Sequence, residues 1–224
     1  FAELDRRGRA SMRFSVLVHR DVSHKGTWDP EEGKSLMRRH AAAVAPLAES
    51  GRFYSFLIQL DHRQERSRKV LDYLLLSASA ALAEGLDVHV EFRDRTWHQE
   101  PVLKALKDAG IGICNTDLPA LPGAFPLRSY ATTAKGYVRY NGRNAAAWHE
   151  EPFGRRPSGG VGSGRYDYLY SLEEIEELIP AQLLLLEKTG AVAAVWRNHA
   201  RGQSPMNAAR NLFLAERRLR AAEA

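Results

Sequence analysis

Six short, apolar, strand-like segments alternate with longer helical segments along the chain, and this alternation constrains the fold more than any other feature. The strand-like segments are rich in β-branched and aromatic residues, and several of the helical segments stop at a glycine. The predicted strands are Arg13–His19, Phe53–Leu60, Asp87–Arg93, Ile111–Asp117, Gly136–Asn141 and Ala191–Arg197. Strands joined by helical crossovers lie parallel to one another, so the pattern predicts an α/β fold.

Local signals mark where some of the intervening helices begin. A Ser or Thr followed three residues later by Glu or Gln forms a capping box at a helix start. This spacing occurs at Thr96 with Gln99 and at Ser171 with Glu174. A further helix is predicted from about Gln64 to Glu84, ahead of a glycine that stops it.

Two architectures fit parallel strands with helical crossovers, a doubly wound open sheet and a TIM-type barrel. The first predicts a Gly-rich phosphate-binding turn after an early strand. The Gly-rich run here spans 159–164, follows the fifth predicted strand and lacks the flanks of a GxGxxG or P-loop motif. The second predicts polar residues at the carboxyl ends of several strands, which this sequence has. We therefore predict one TIM-type barrel domain over residues 1–224.

Composition excludes several classes of protein. Hydrophobic residues make up 44% and charged residues 26% of the 224 residues, as in ordinary globular proteins. Cys114 is the one cysteine, so an intramolecular disulfide and a Cys-cluster zinc site are excluded. No apolar run approaches the ~20 residues that a membrane span needs, so we expect a cytoplasmic protein with no membrane partner. The net charge of +5 suits an anionic ligand.

The predicted strands end in side chains that are suited to acid–base chemistry or to ligand binding. The carboxyl ends of parallel strands meet at one edge of a sheet, so these side chains are expected to converge. The candidate catalytic residues are Glu91, Asp117, His24 and His199. The candidate substrate-binding residues are Arg93, Trp97, Arg139, Asn141, Arg143, Tyr168, Asn198 and Asn207. The alternative is a structural layer of ion pairs, since buried charges normally pair, for example Glu91 with Arg93 or Arg139.

Metal and nucleophile chemistry are less well supported. The four candidate catalytic residues are of metal-ligand type, but none has a local spacing such as HExxH, so no metal and no cofactor are predicted. Cys114 lies mid-strand and is expected in the core. Ser163 lacks the strand–elbow–helix context of a hydrolase nucleophile. The Gly-rich segment around it, within the longest predicted loop (142–170), is expected to be a surface loop or a lid.

A set of motifs resembles a known family. The motifs run, in order, through Val90–Arg93 with Trp97, Asn115–Pro119, Tyr137–Arg143, Tyr166 with Tyr168, and Asn198–Ala208. Together they resemble the YecE-like family, a domain of unknown function, from Arg13 to the last helix. The resemblance implies a TIM-type barrel whose shared polar residues line a cavity at the strand ends, and it implies no particular reaction.

The chain departs from the family pattern in places. Leu17 stands where the family usually has a Lys, and Arg197 replaces the first Asn of a double-Asn motif. The family also has two strands before Arg13–His19. The resemblance therefore implies that six of eight strand–helix units are visible, with about 50–60 further N-terminal residues in the native protein. If 224 residues are the whole product, an open sheet or a partner over the sheet edge is expected instead.

Three functions fit these residues. The favoured one is an enzyme, a hydrolase or lyase, that holds a small anionic or phosphorylated substrate with Arg93, Arg139, Arg143 and Arg197. A nucleic-acid-binding or nuclease-like protein is the second, with Trp97 and the tyrosines as a stacking platform. The third is a non-catalytic barrel that binds a metabolite or a partner protein. The sequence leaves the oligomeric state open.

Overall fold

The fold is that of a computed structural model, which describes Glu3 and residues 11–24, 27–119, 121–150 and 164–223. The chain divides into two compact units, 1–114 and 115–224. Ser163 and the preceding glycines, which are expected to form a surface loop or a lid, lie outside the described residues.

The first unit contains parallel strands with helices between them. The strands are β1 (Phe14–Leu17), β2 (Phe53–Gln59), β3 (Val88–Glu91) and the start of β4 (Gly112–Asp117). The helices are α1 (Arg20–Ser23), α2 (Pro30–Glu49), α3 (Arg68–Leu82) and α4 (Glu100–Asp108). Each strand pairs in parallel with the next one along the chain, with Gln59 opposite Glu91 and Val90 opposite Ile113.

The second unit repeats this arrangement. It contains the end of β4, then β5 (Gly136–Tyr140) and β6 (Val192–Trp196). Its helices are α5 (Ala145–Glu150), α6 (Leu172–Thr189) and α7 (Gln203–Glu223). β5 and β6 pair in parallel, with Gly136 opposite Val192 and Tyr140 opposite Trp196.

The order of the strands bears on the two predicted architectures. Within each unit, strands that follow one another in sequence are neighbours, β1 to β4 in the first unit and β4 to β6 in the second. A doubly wound sheet reverses its strand order at a switch point, and no described strand does so. The α/β fold with parallel strands alternating with helices is confirmed.

Helix starts follow the local sequence, with two corrections. The capping box at Ser171 with Glu174 is present, and both of its hydrogen bonds form. The one predicted at Thr96 with Gln99 is wrong, because Thr96 lies in a short 3₁₀ turn, Arg95–Trp97, whose N-cap is Asp94. The predicted helix from Gln64 begins later, at Arg68, because Ser67 caps it.

The loop predicted over 142–170 is also partly wrong, because α5 (Ala145–Glu150) lies within it. Three consecutive alanines, Ala145 to Ala147, favour a helix there.

Among the residues described, no helix is both long and apolar enough to cross a membrane.

Each unit has its own buried interior. In the second unit, aromatic and aliphatic side chains of β5, β6, α6 and α7 pack together, including Tyr140, Tyr170 and Trp196. Tyr140 stacks on Trp196 with ring centroids 4.1 Å apart. In the first unit, Cys114 is fully buried, as expected for a core residue.

Candidate functional site

At the end of β3, in the first unit, two of the predicted site residues form a buried ion pair. Glu91, the last residue of the strand, is fully buried, and Arg93 is nearly so. Arg93 Nε donates a hydrogen bond to Glu91 Oε1 at 2.8 Å. Buried charges are stable only when they are paired in this way. Glu91 therefore has Arg93 as a partner, one of the two arginines proposed for it from the sequence.

Trp97 follows this ion pair four residues along the chain, at the end of the short turn Arg95–Trp97. Its ring is fully buried and stacks on Phe92, with centroids 4.6 Å apart. Its indole Nε1–H donates to the carbonyl oxygen of Gln64 at 2.7 Å. These contacts give Trp97 a packing role here, and its binding to a substrate stays a prediction.

His24 follows α1 at the carboxyl end of β1. Ser23 Oγ and His24 Nδ1 are hydrogen-bonded at 2.6 Å. Burial lowers the pKa of His24, the negative charge of Asp61 raises it, and Arg20 and Arg93 lower it, so that the net shift is downward. The imidazole is therefore held toward its neutral form, which is the form that accepts a proton.

Asp61, which follows β2, is the carboxylate whose negative charge raises the pKa of His24. Burial alone would raise its pKa, but hydrogen bonds from the side chain and backbone of Arg63 hold the pKa at about 2. The Arg63 Nε–H donates to Asp61 Oδ1 at 2.9 Å. Sequence reasoning missed Asp61 because it lies one residue beyond the predicted strand.

Replacing Asp61 is expected to lower the pKa of His24 further, because Asp61 is the group that raises it. The folded pKa of Asp61 lies below the ordinary value of 3.8, so its stabilising contribution is present above about pH 4 and is lost as the pH falls toward 2. NMR titration of Asp61 and His24 in the wild type, and of His24 in Asp61→Asn, tests this. Asp72→Asn, on the exposed pair with Arg68, is the control. An unchanged His24 titration in Asp61→Asn would contradict the prediction.

The second unit places a carboxylate between a cation and a phenol. Asp117 ends β4 and is nearly fully buried. Arg143 donates to both of its oxygens, from Nε to Oδ2 at 3.1 Å and from Nη2 to Oδ1 at 3.2 Å. The Tyr170 hydroxyl donates to Oδ2 at 2.6 Å and accepts from the Gly142 N–H at 2.9 Å. The fork of Arg143 is thereby fixed in one orientation.

Burial and Asp117 together set the ionisation of Tyr170 and Arg143. Burial, followed by the charge and hydrogen bond of Asp117, raises the pKa of Tyr170 well above its ordinary value. Burial lowers the pKa of Arg143, but its hydrogen bond and ion pair with Asp117 outweigh this and raise it. Tyr170 is therefore a proton donor and Arg143 a permanent cation at every physiological pH.

The end of β6 adds a second fixed cation. Arg197 Nη1 donates to Asn141 Oδ1 at 3.0 Å and to the Tyr166 hydroxyl at 3.3 Å. Its guanidinium carbon lies 4.7 Å from the centre of the Tyr166 ring. The Asn141 backbone N–H in turn donates to the carbonyl oxygen of Asp117 at 3.1 Å. Asn141 therefore links the group at the end of β4 to the group at the end of β6.

His199 lies two residues beyond Arg197 and is exposed. Its ring centroid is 5.2 Å from that of Tyr166. The ring Nδ1 lies 3.1 Å from the Arg197 carbonyl oxygen, which leaves Nε2 for another partner. This arrangement places an imidazole at the exposed margin of the group.

Two buried amides lie beside these residues. Asn207 Nδ2 donates to Asn198 Oδ1 at 3.2 Å, and both side chains are fully buried. Among the residues described, Asn198 Nδ2 and Asn207 Oδ1 have no hydrogen-bond partner. Gly142 adopts φ +93°, and a Cβ there would lie 2.7 Å from Tyr168 Cβ and 2.9 Å from Asn198 Nδ2. Only glycine fits this close approach.

Tyr168 and Glu174 complete the second-unit group. The Tyr168 hydroxyl donates to Glu174 Oε1 at 2.5 Å. Burial and this carboxylate raise the pKa of Tyr168 to about 12. Glu174 also lies 3.6 Å from Arg143 Nη1. Sequence reasoning identified Glu174 only as a helix cap, because no local pattern indicates its second contact, with Tyr168.

Arg139 is predicted to bind substrate from β5. The structure buries it almost completely within that strand. Arg165, which sequence reasoning missed, is buried to a similar degree in the turn before Tyr166. Within the described part of the chain, no group of three or more His, Cys, Asp or Glu side chains is arranged to hold a metal ion.

Comparison with known proteins identifies the family. The sequence model described as "Protein of unknown function DUF72" matches residues 1–223. The chain belongs to the DUF72 family. YecE-like is another name for this family, so the resemblance seen in the motifs is confirmed.

Solved structures of DUF72 proteins have the same fold. One from Thermotoga maritima is 30% identical, with a TM-score of 0.83 over 96% of this chain and 78% of that one. One from Enterococcus faecalis is 23% identical, with a TM-score of 0.81 over 96% of this chain and 78% of that one, and it supports the fold alone. No protein with a curated description matches the sequence.

Proposed function

We propose that this DUF72 protein is an enzyme that binds a small anionic or phosphorylated substrate at the strand ends of the second unit. The observation that carries the proposal is the fixed position of two guanidinium groups, Arg143 and Arg197. Asp117 holds Arg143, whose side chain remains 27% exposed. Asn141 and Tyr166 hold Arg197. Cations fixed before binding lose little conformational freedom when an anion arrives, and guanidinium forks match phosphate and carboxylate.

The neighbouring amides suit the uncharged part of such a substrate. Asn198 Nδ2 is a donor and Asn207 Oδ1 an acceptor, and neither has a partner among the described residues. Buried polar atoms in proteins are normally hydrogen-bonded, so unused capacity of both kinds favours a polar ligand. In this proposal, a hydroxyl or amide of the substrate pairs with these atoms.

Acid–base roles follow from exposure and charge. Asp117 accepts hydrogen bonds from Arg143 and Tyr170 as a carboxylate, and in the proposal it is the base or the group that orients one. His199 is exposed and has a ring nitrogen free to exchange protons with solvent, which suits a shuttle. The catalytic roles of Glu91 and His24 in the first unit, and the substrate contacts of Arg93 and Arg139, stay predictions.

We also infer that the strand–helix units belong to a single TIM-type barrel. Sequential strands are neighbours throughout each unit, which is the connectivity of a barrel and not of a doubly wound sheet. Polar residues follow the carboxyl ends of β1, β3, β4, β5 and β6, where barrel enzymes carry their sites. The cytoplasmic location likewise stays a prediction.

Binding of inorganic phosphate is the direct test. We expect phosphate to bind in isothermal titration calorimetry and Arg197→Gln to weaken it by about tenfold or more, since a charge-assisted hydrogen bond contributes about 1.5–3 kcal/mol. Arg201→Gln is the matched control, because Arg201 is an exposed arginine of the same unit paired with Asp167. Equal loss in both variants, or no binding in the wild type, would refute the anion site.

Turnover is tested separately. Phosphorylated and carboxylated compounds that bind are incubated with the protein, and products are followed by mass spectrometry. Binding without turnover would leave a metabolite-binding protein and remove the enzyme half of the proposal. A steep loss of affinity for single-stranded DNA or RNA with salt, together with no phosphate binding, would favour the nucleic-acid alternative instead.

A further inference from the structure

Arg143 has one guanidinium nitrogen that Asp117 does not use. Its Nε and Nη2 donate to the Asp117 carboxylate, which holds the plane of the guanidinium. The third nitrogen, Nη1, lies 3.6 Å from Glu174 Oε1 and 3.7 Å from Glu177 Oε2. Both separations exceed the length of an ordinary N–H···O hydrogen bond, about 2.7–3.2 Å. Nη1 therefore keeps hydrogen-bonding capacity for an incoming anion.

The two glutamates near Nη1 differ in what else they bind. Glu174 is committed within the protein, since its Oε1 accepts from the Tyr168 hydroxyl at 2.5 Å and its Oε2 accepts from the Ser171 N–H at 2.9 Å. Glu177 follows it by three residues along α6, on the same face of the helix. The Glu177 side chain is 71% exposed, so its carboxylate is hydrated and its ion pair with Arg143 is weak. Glu177 can therefore exchange Arg143 for a positive charge on a ligand.

These positions impose a charge pattern on any ligand of Arg143. A ligand oxygen that accepts a hydrogen bond from Nη1 lies within about 7 Å of both glutamate carboxylates, because Nη1 itself is so close to them. The charged side chains of this group comprise three carboxylates and two guanidiniums, namely Asp117, Glu174 and Glu177, and Arg143 and Arg197. The surplus carboxylate repels a plain anion, whereas a positive group on the ligand offsets that repulsion.

We propose that the substrate of this site is zwitterionic, a small phosphate or carboxylate compound that also carries an ammonium group. Its anionic end binds Arg143 Nη1 and Arg197, and its ammonium binds the Glu177 carboxylate. The ammonium replaces Arg143 as the partner of Glu177, so both charges of the ligand meet opposite charges in the site. This inference rests on the proposed anion site and narrows its substrate class.

The test compares two phosphate esters of the same size that differ in charge. Phosphoethanolamine carries an ammonium where 2-hydroxyethyl phosphate carries a hydroxyl. At about pH 8 both phosphates are dianions, since their second pKa is about 6, and the amine is protonated, since its pKa is about 10. Isothermal titration calorimetry at low salt is expected to show phosphoethanolamine binding up to about fivefold more tightly, the effect of one exposed ion pair. The preference should shrink as salt is added.

Glu177→Gln is expected to remove this preference. The variant keeps the size of the side chain and removes its charge, so 2-hydroxyethyl phosphate should gain about two- to fivefold in affinity while phosphoethanolamine does not. Glu176→Gln is the matched control, because Glu176 is the adjacent glutamate of α6, is also exposed (53%), and pairs with Arg217 at 3.1 Å. The control should keep the preference of the wild type.

The outcomes separate the zwitterionic substrate from the anion site itself. Equal affinity of the two esters for the wild type, or a preference that survives Glu177→Gln, would overturn the zwitterionic substrate and leave the anion site standing. An equal loss of the preference in Glu176→Gln would also overturn it, since the effect would then come from the general charge of the helix. If neither ester binds and inorganic phosphate does not bind, the anion site is refuted and the zwitterionic substrate with it.

Discussion

Replacing Glu91 by leucine is expected to lower the free energy of unfolding by about 3–5 kcal/mol, because it leaves the Arg93 guanidinium buried beside an apolar side chain. Both members of the pair are almost wholly shielded from water, and 2.8 Å separates Arg93 Nε from Glu91 Oε1. Water cannot replace the lost carboxylate at such a position. Urea unfolding, with the slope of the transition checked for constancy, measures the loss.

The exposed pair of Lys104 with Asp108 is the control. Its nitrogen and oxygen are 2.6 Å apart, but the two side chains are 72% and 60% exposed. Asp108→Asn is therefore expected to cost at most about 0.5 kcal/mol, as helical i,i+4 pairs do. A similar cost for Glu91→Leu and Asp108→Asn would contradict the prediction and show that water reaches Glu91.

The double variant Glu91→Leu with Arg93→Leu separates pairing from packing. If the single variant is costly because Arg93 loses the carboxylate that it binds in the interior, removing both charges should recover much of the loss. A double variant as unstable as the sum of the two single variants would mean that each side chain acts through its own packing.

The sequence predicted the strands well because their signal is local. β-branched and aromatic runs such as Phe53–Leu60 carry their own preference, and the strand begins there and ends within one residue of that range. Helix starts depend on single side chains and are less certain. Thr96 and Gln99 have the right spacing for a capping box, yet Asp94 caps a tighter turn first.

The candidate site was predicted in part for a related reason. Residues at strand ends could be chosen from the periodicity, which is why Asp117, Asn141 and Arg143 are found together. Which partner each one chooses depends on contacts distant in sequence. Tyr170 is 53 residues from Asp117, and nothing in its local sequence shows that its hydroxyl reaches that carboxylate.

Tyr170→Phe is the sharpest test of the second-unit group. The variant keeps the ring, which packs at 5.0 Å from Trp196, and removes only the hydroxyl. The buried Gly142 N–H loses its acceptor and Asp117 loses a donor. Leaving the buried Gly142 N–H without a partner costs about 1–3 kcal/mol, and the hydrogen bond lost by Asp117, which keeps Arg143, adds about 1 kcal/mol, so a total loss of about 2–4 kcal/mol in unfolding free energy is expected.

Tyr140→Phe provides the comparison within the same core. Tyr140 is also buried, but its hydroxyl makes one described hydrogen bond, to Gln182 Oε1 at 3.2 Å, and that acceptor also receives the Asn211 side-chain amide. Its removal is expected to cost about 1 kcal/mol. Burial raises the pKa of both phenols well above the ordinary value, so both stay protonated and the difference between the variants should not change from pH 6 to pH 9.

The same pair of variants links stability to the proposed anion site. If Tyr170 fixes Asp117, and Asp117 fixes the fork of Arg143, then Tyr170→Phe should weaken phosphate binding while Tyr140→Phe leaves it unchanged. A structural role alone would lower stability in Tyr170→Phe without altering phosphate affinity at temperatures where the protein is folded. The two measurements together therefore distinguish a hydroxyl that positions the binding cation from one that only completes the core.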